Sequence, residues 1–154
     1  MEISEILPVE AVTASVRVQS KKRLFQEISQ IAASRFGLDE TAVCGVLQDR
    51  ESLGPTGVGR GVALPHGRVE GLLSVRGVFL RLEAPIEFDA VDRKPVDLVF
   101  ALLAPVDAGA EHLKALARVS RLLREDAVCT KLRSTTDVQA IYSILTANEA
   151  SKAA

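Results

Sequence analysis

The sequence predicts an α/β sandwich, one β-sheet covered by helices on both faces, and three observations carry that prediction. Residues 96–103 (Val-Asp-Leu-Val-Phe-Ala-Leu-Leu) are apolar with no alternation, as in a strand buried on both sides. Helical stripes alternate along the chain with short strand-like runs, and the helices are long enough to serve as crossovers between parallel strands. With 154 residues, 47% of them hydrophobic and 25% charged, the chain has the composition of one domain, residues 1–154, with a full core.

Each element has its own signal. Ile3, Ile6 and Leu7 form a short apolar patch, and Val12, Val16 and Val18 recur at even spacing, as in an edge or entry strand. Ser20 is placed to cap a helix whose stripe is Leu24, Phe25, Ile28, Ile31, Ala32 and Phe36, ending at Gly37. Asp39 caps a second helix with Val43, Val46 and Leu47 inward and Arg50 in its last turn, and Gly54-Pro55 stops it near Ser52. Residues 75–82 read as a strand, 85–94 as a polar connection, and 96–103 as the central strand. Asp107 is placed to cap a helix with Leu113, Leu116, Ala117, Ser120 and Leu123 inward and with Glu111 and His112 near its first turn. A helical turn at 127–132 and a helix on Val138, Ile141, Tyr142 and Leu145 follow, and residues 151–154 should fray.

Composition excludes several functions. A net charge of −1, 4% aromatic residues and no Trp leave neither a basic face nor stacking platforms for nucleic acid. The longest apolar run, 98–106, is too short to span a bilayer, and the amino terminus lacks the basic-then-apolar pattern of a leader, so a cytoplasmic location is expected. Cys44 and Cys129 stand apart, without CxxC spacing, which supports neither a disulfide nor a zinc site.

The chemistry concentrates in residues 56–68 (Thr-Gly-Val-Gly-Arg-Gly-Val-Ala-Leu-Pro-His-Gly-Arg). Gly57, Gly59 and Gly61 recur at period two, so an extended segment would present one face bare of side chains, a cradle of backbone N–H groups. Val62 to Leu64 read as a short buried strand, Pro65 keeps Leu64 extended, His66 falls at the strand end, and Gly67 leaves the ring open on one side. A histidine so placed is either structural or directed at phosphate, and the glycines with Arg60 and Arg68 favour phosphate. Nucleotide motifs fail: Arg60 and Gly61 stand where a P-loop needs Lys and Ser or Thr, and Val62 or Leu64 occupies the third glycine position of a dinucleotide fingerprint. A histidine ring with its ordinary pKa of about 6.5 is mostly neutral near pH 7 and attacks phosphorus without an activating base. The protein then has only to position the group and stabilise its charge, which calls for no metal or other cofactor. Arg50, Arg60 and Arg68 are candidate cations, and His112, near a helix amino terminus, is placed to donate to a phosphoryl oxygen rather than to join the core.

Residues 56–67, with Asp49-Arg50-Glu51 before them and Glu111-His112-Leu113-Lys114 after, resemble the mannitol/fructose-type enzyme IIA family of the bacterial phosphotransferase system, most closely its nitrogen-regulatory branch. The likeness extends through Phe88-Asp-Ala-Val-Asp and residues 95–103. It implies a mixed sheet flanked by helices, His66 phosphorylated at Nε2, and His112 and Arg50 lining the same site. It assigns nothing to Arg60, whose position varies. The implied partners are a histidine-containing phosphocarrier and regulatory targets such as potassium-transport components or sensor kinases. The alternative is a sugar-specific IIA passing phosphate to a permease IIB domain. Two other classes differ on simple grounds: a histidine phosphatase needs Arg where Pro65 stands, and a ligand-binding regulatory domain would leave His66 unphosphorylated.

Overall fold

The computed structural model describes residues 1–147; the fraying expected at 151–154 lies outside them. Six strands form one mixed sheet: β1 (Val12–Val16), β2 (Gly57–Gly59), β3 (Val62–Ala63), β4 (His66–Arg68), β5 (Arg76–Ile86) and β6 (Val96–Ala104). Their order is β1-β5-β6-β3-β2, with β4 also on β6. β5 runs antiparallel to β6, with Phe79 opposite Phe100, while β1 is parallel to β5. β3 and β4 both run parallel to β6, pairing Val62 with Leu98 and His66 with Leu102. They are two halves of one line along the same edge of β6, separated by Leu64-Pro65.

The apolar run at 96–103 is the sheet's centre, and every β6 residue except Asp97 is buried. Both of its faces must therefore be covered, and the helices supply two groups of cover. One is α2 (Lys21–Phe36) against α3 (Glu40–Ser52). The other links α1 (Ile3–Ile6), α4 (Ala110–Leu123), α5 (Asp126–Arg133) and α6 (Val138–Leu145). The caps of the first group are those read from the sequence. Ser20 accepts from the Arg23 N–H, Gly37 ends α2 at φ 68, and Asp39 accepts from the N–H groups of Thr41 and Ala42. A half-buried clamp joins the second group to the sheet: Arg133 donates to both carboxylate oxygens of Asp97 at 2.9–3.1 Å, and the Arg81 guanidinium donates to the Leu132 and Arg133 carbonyls.

Two sequence expectations fail on α4. Its N-cap is Gly109, with no side-chain cap, so Asp107 does not cap it. Its buried residues are His112, Ala115, Val119, Leu122 and Leu123, whereas Leu113 is 68% exposed and Ala117 is exposed. The helix is rotated by about one residue from the expected stripe, because it seats His112 inward and the smaller Ala115 and Val119 beneath it.

Candidate active site

His66 opens β4 rather than closing the strand before it. Leu64 lies in the gap between β3 and β4, where its N–H donates to the Thr56 carbonyl at 2.9 Å, and the Pro65 carbonyl accepts from Leu102 at 2.9 Å. The Leu64 carbonyl then faces the ring, 2.8 Å from His66 Nδ1. On the other side, Arg50 Nε lies 3.3 Å from His66 Nε2, and Arg50 Nη1 donates to the Gly54 carbonyl at 2.9 Å. A carbonyl only accepts and a guanidinium only donates, so the two contacts assign one tautomer. The proton is on Nδ1 and the lone pair is on Nε2. Arg50 is thus at the site, carried there by the last turn of α3.

His112 is the third residue of α4 and only 8% exposed. The expectation that it would stay out of the packed interior is wrong, but the site itself buries it. Its ring meets the His66 ring edge-on, with centroids 5.6 Å apart and planes at 71°. Burial, followed by electrostatic contributions from His66 and Arg68, holds its pKa below the usual histidine value, so the ring stays neutral. His112 Nε2 is buried with no hydrogen-bond partner among the described residues. Such an atom costs stability unless a ligand completes it.

The glycines do not form one extended bare face. The chain reverses at Arg60-Gly61, both at positive φ (57° and 80°), giving a two-residue hairpin that pairs Gly59 with Val62. Gly57 is there because a Cβ would lie 2.7 Å from that of Ala90, and Gly61 because one would meet the Arg133 guanidinium and Asp97. Gly67 does not open the histidine to solvent either. A Cβ there would overlap the Val46 side chain, so this glycine lets α3 pack close behind His66 and brings Arg50 within reach. On the hairpin Val58 is 51% exposed, while Val62 and Leu64 are buried. A groove runs between the hairpin and α4, lined by Val58, Gly59, Arg60, Leu64, Ser120 and Arg124.

The other two candidate cations differ. Arg60 is engaged by Asp126 at 3.0 Å and by the Arg124 carbonyl, while its N–H donates to Asp92, so it fixes the hairpin against α5. Arg68 acts on His112 only through its charge. Glu51 and Thr56 stand in the motif read from the sequence, but that reading gives neither a role; their side chains clamp the loop before the hairpin to the end of α3. The signal was an acid in the last turn of a helix, where the dipole disfavours it unless donors surround it.

A model of the family described as phosphoenolpyruvate-dependent sugar phosphotransferase system, EIIA 2, matches residues 5–148. The chain belongs to this family. It is therefore a phosphotransferase-system component. A nitrogen regulatory protein of Bradyrhizobium diazoefficiens is 51% identical over 145 residues, spanning 94% of this chain and 95% of its own length. A nitrogen regulatory protein of Escherichia coli (strain K12) is 41% identical over 150 residues, spanning 97% and 92%. In fold, the crystal structure of nitrogen regulatory protein IIA-Ntr from Neisseria meningitidis superposes with a TM-score of 0.88 at 39% identity, covering 94% of this chain and 99% of that one. The mixed sheet and its flanking helices are thus those of the family. No helix among the described residues is long and apolar enough to cross a membrane.

Proposed function

We propose that His66 accepts a phosphoryl group at Nε2 from a histidine-containing phosphocarrier and that the resulting charge controls the binding of regulatory partners. The observation that carries this reading is the fixed tautomer, with Nδ1 turned to the Leu64 carbonyl and Nε2 turned outward to a guanidinium. In the transfer, the N–P bond of the donor breaks as the Nε2 lone pair forms a new one, and the donor ring takes back the bonding pair. The Nδ1 proton stays on its contact with Leu64. Arg50 moves from the nitrogen to the phosphoryl oxygens, and His112 Nε2, as an N–H donor, completes its missing bond on them. A neutral His112 needs no loss of charge to do so, and the amino terminus of α4 adds its dipole.

The hairpin carrying Val58 and the groove beside α4 form the face on which partners dock. Phosphorylation adds roughly −1.5 to −2 charges there, enough to repel an apolar or acidic partner surface. The regulatory reading over sugar delivery is supported by the nitrogen-regulatory relatives at 41% and 51% identity. The regulatory targets of that branch, potassium-transport components or sensor kinases, are the partner classes to look for. The test is affinity capture with wild type, His66→Ala and His66→Asp. Partners retained by His66→Ala and lost by His66→Asp are expected. Rapid onward transfer to a sugar-permease IIB domain, with no partner distinguishing the forms, would replace regulation with transport.

A further inference from the structure

Glu51 occupies the last turn of α3, one residue after Arg50, with its side chain only 8% exposed. Its carboxylate accepts from the Thr56 hydroxyl at 2.5 Å and from the Thr56 N–H at 2.9 and 3.1 Å, and Lys21 lies 3.4 Å away. Thr56 is itself 4% exposed, so these bonds are shielded from water. The Thr56 carbonyl in turn receives the Leu64 N–H, and the Leu64 carbonyl faces His66 Nδ1.

We infer that Glu51 is a positioning residue for the phosphoryl acceptor, holding the Nδ1–H tautomer of His66 through Thr56 and the Leu64 peptide. The inference rests on the reading of His66 as the acceptor. Its force comes from where Leu64 sits. β3 ends at Ala63 and β4 begins at His66, and the Leu64–Pro65 peptide has no N–H to anchor it, so the backbone of Leu64 is held from the Thr56 bond on its own N–H and, beyond the proline, from the Pro65 carbonyl on Leu102. If Thr56 shifts, the Ala63–Leu64 peptide shifts with it, and the Leu64 carbonyl, which follows across the φ and ψ of the same residue, is displaced from Nδ1. The ring would then be free to place its proton on Nε2, the form that has no lone pair to offer phosphorus. Consecutive residues of one helix end therefore set the two ring nitrogens, Arg50 directly at Nε2 and Glu51 by relay at Nδ1.

The test compares Glu51→Gln, Glu51→Asp, Thr56→Val and Thr56→Ser with wild type by two readouts. The first is the ¹⁵N spectrum of histidine-labelled protein, which reports the tautomer. The second is the rate of phosphoryl uptake from a phosphorylated phosphocarrier and from phosphoramidate, a small donor that needs no docking surface. Glu51→Gln and Thr56→Val should show a mixed His66 tautomer and uptake from both donors slowed by about tenfold to a hundredfold. Glu51→Asp and Thr56→Ser should recover part of both. Slower uptake with an unchanged tautomer would make Glu51 a purely structural clamp and overturn the inference, as would unchanged rates. Should Glu51→Gln fail to fold, Thr56→Val, which keeps shape and loses only the hydroxyl, decides on the same readouts. If wild type accepts phosphate from neither donor, the acceptor reading falls, while the tautomer comparison still decides whether Glu51 holds the ring.

Discussion

The two walls of the site are built differently. The His66 wall is dense with hydrogen bonds: both ring nitrogens have partners, the guanidinium on one of them is tied to Gly54, and Glu51 and Thr56 brace the loop below. The His112 wall is a helix amino terminus with no side-chain cap, and it presents a buried nitrogen with no partner among the described residues. One wall is complete before anything binds. The other leaves a buried position open, which in the proposed transfer a phosphoryl oxygen fills. This is the division expected where a nucleophile must be aimed in advance, while charge stabilisation is needed only when the phosphoryl oxygens arrive.

The sharpest way to break that comparison is to exchange the roles of the two rings. His66→Ala should abolish phosphoryl uptake from a phosphorylated phosphocarrier, read by intact-protein mass spectrometry, because His112 lacks the Arg50 and Leu64 contacts that aim a lone pair. Phosphate appearing on His112 in that variant would show the walls to be equivalent. Next in size, His112→Ala should still become phosphorylated on His66 but about 10²-fold more slowly, the usual cost of losing one oriented donor to developing charge. A wild-type rate in quenched-flow measurements would mean that the orphan nitrogen of His112 serves some other end.

The His66 wall was the more legible of the two in the sequence, and the reason is local. Ser20, Gly37, Asp39 and the apolar run at 96–103 act on their own neighbours, so their signals survive without knowledge of the fold. The segment 56–68 stands out by its glycines and its histidine, yet the spacing of those glycines points to one extended face where the chain forms a hairpin. Period-two spacing cannot tell a single strand from a hairpin whose turn residues are Arg60 and Gly61, and the packing of Gly57 and Gly67 depends on Ala90 and Val46, distant in sequence. For the His112 wall, the place of His112 near a helix amino terminus was legible, but the face that the helix turns inward was not. Leu113, Leu116 and Ala117 make a plausible inward stripe, and only tertiary contact with His66 turns α4 so that Leu113 faces out.

A smaller effect sharpens the comparison from behind the first wall. Gly67→Ala places a methyl where the Val46 side chain already lies, so α3 must retreat or the strand must shift. Overpacking of this kind should destabilise the fold by about 1–3 kcal/mol in chemical denaturation. Because α3 carries Arg50 and Glu51, uptake should also slow. The double variant Gly67→Ala/Val46→Ala, which makes room for the methyl, should restore both. Recovery of stability without recovery of rate would detach Arg50 from its packing and weaken the picture of a wall set in advance.

The smallest effect concerns the pH dependence of the second wall. Burial, with electrostatic contributions from His66 and Arg68, lowers the pKa of His112 in the folded protein, whereas the unfolded chain keeps the ordinary value of about 6.5. The unfolded state therefore binds a proton at a pH where the folded state does not. The contribution to stability is fully present above about pH 6.5 and is lost as pH falls from there through the lower folded pKa. Stability measured by urea denaturation should thus fall on acidification through this window, and His112→Gln, which has no ring to titrate, should flatten that part of the curve while leaving the slope from the carboxylates at lower pH. A phosphoryl group on His66 adds negative charge beside His112. It favours a proton on His112, so the phosphorylated protein should lose less stability than the unphosphorylated form over the same window. Equal slopes for the two forms would place the phosphoryl group out of reach of His112 and leave the second wall without its part in the transfer.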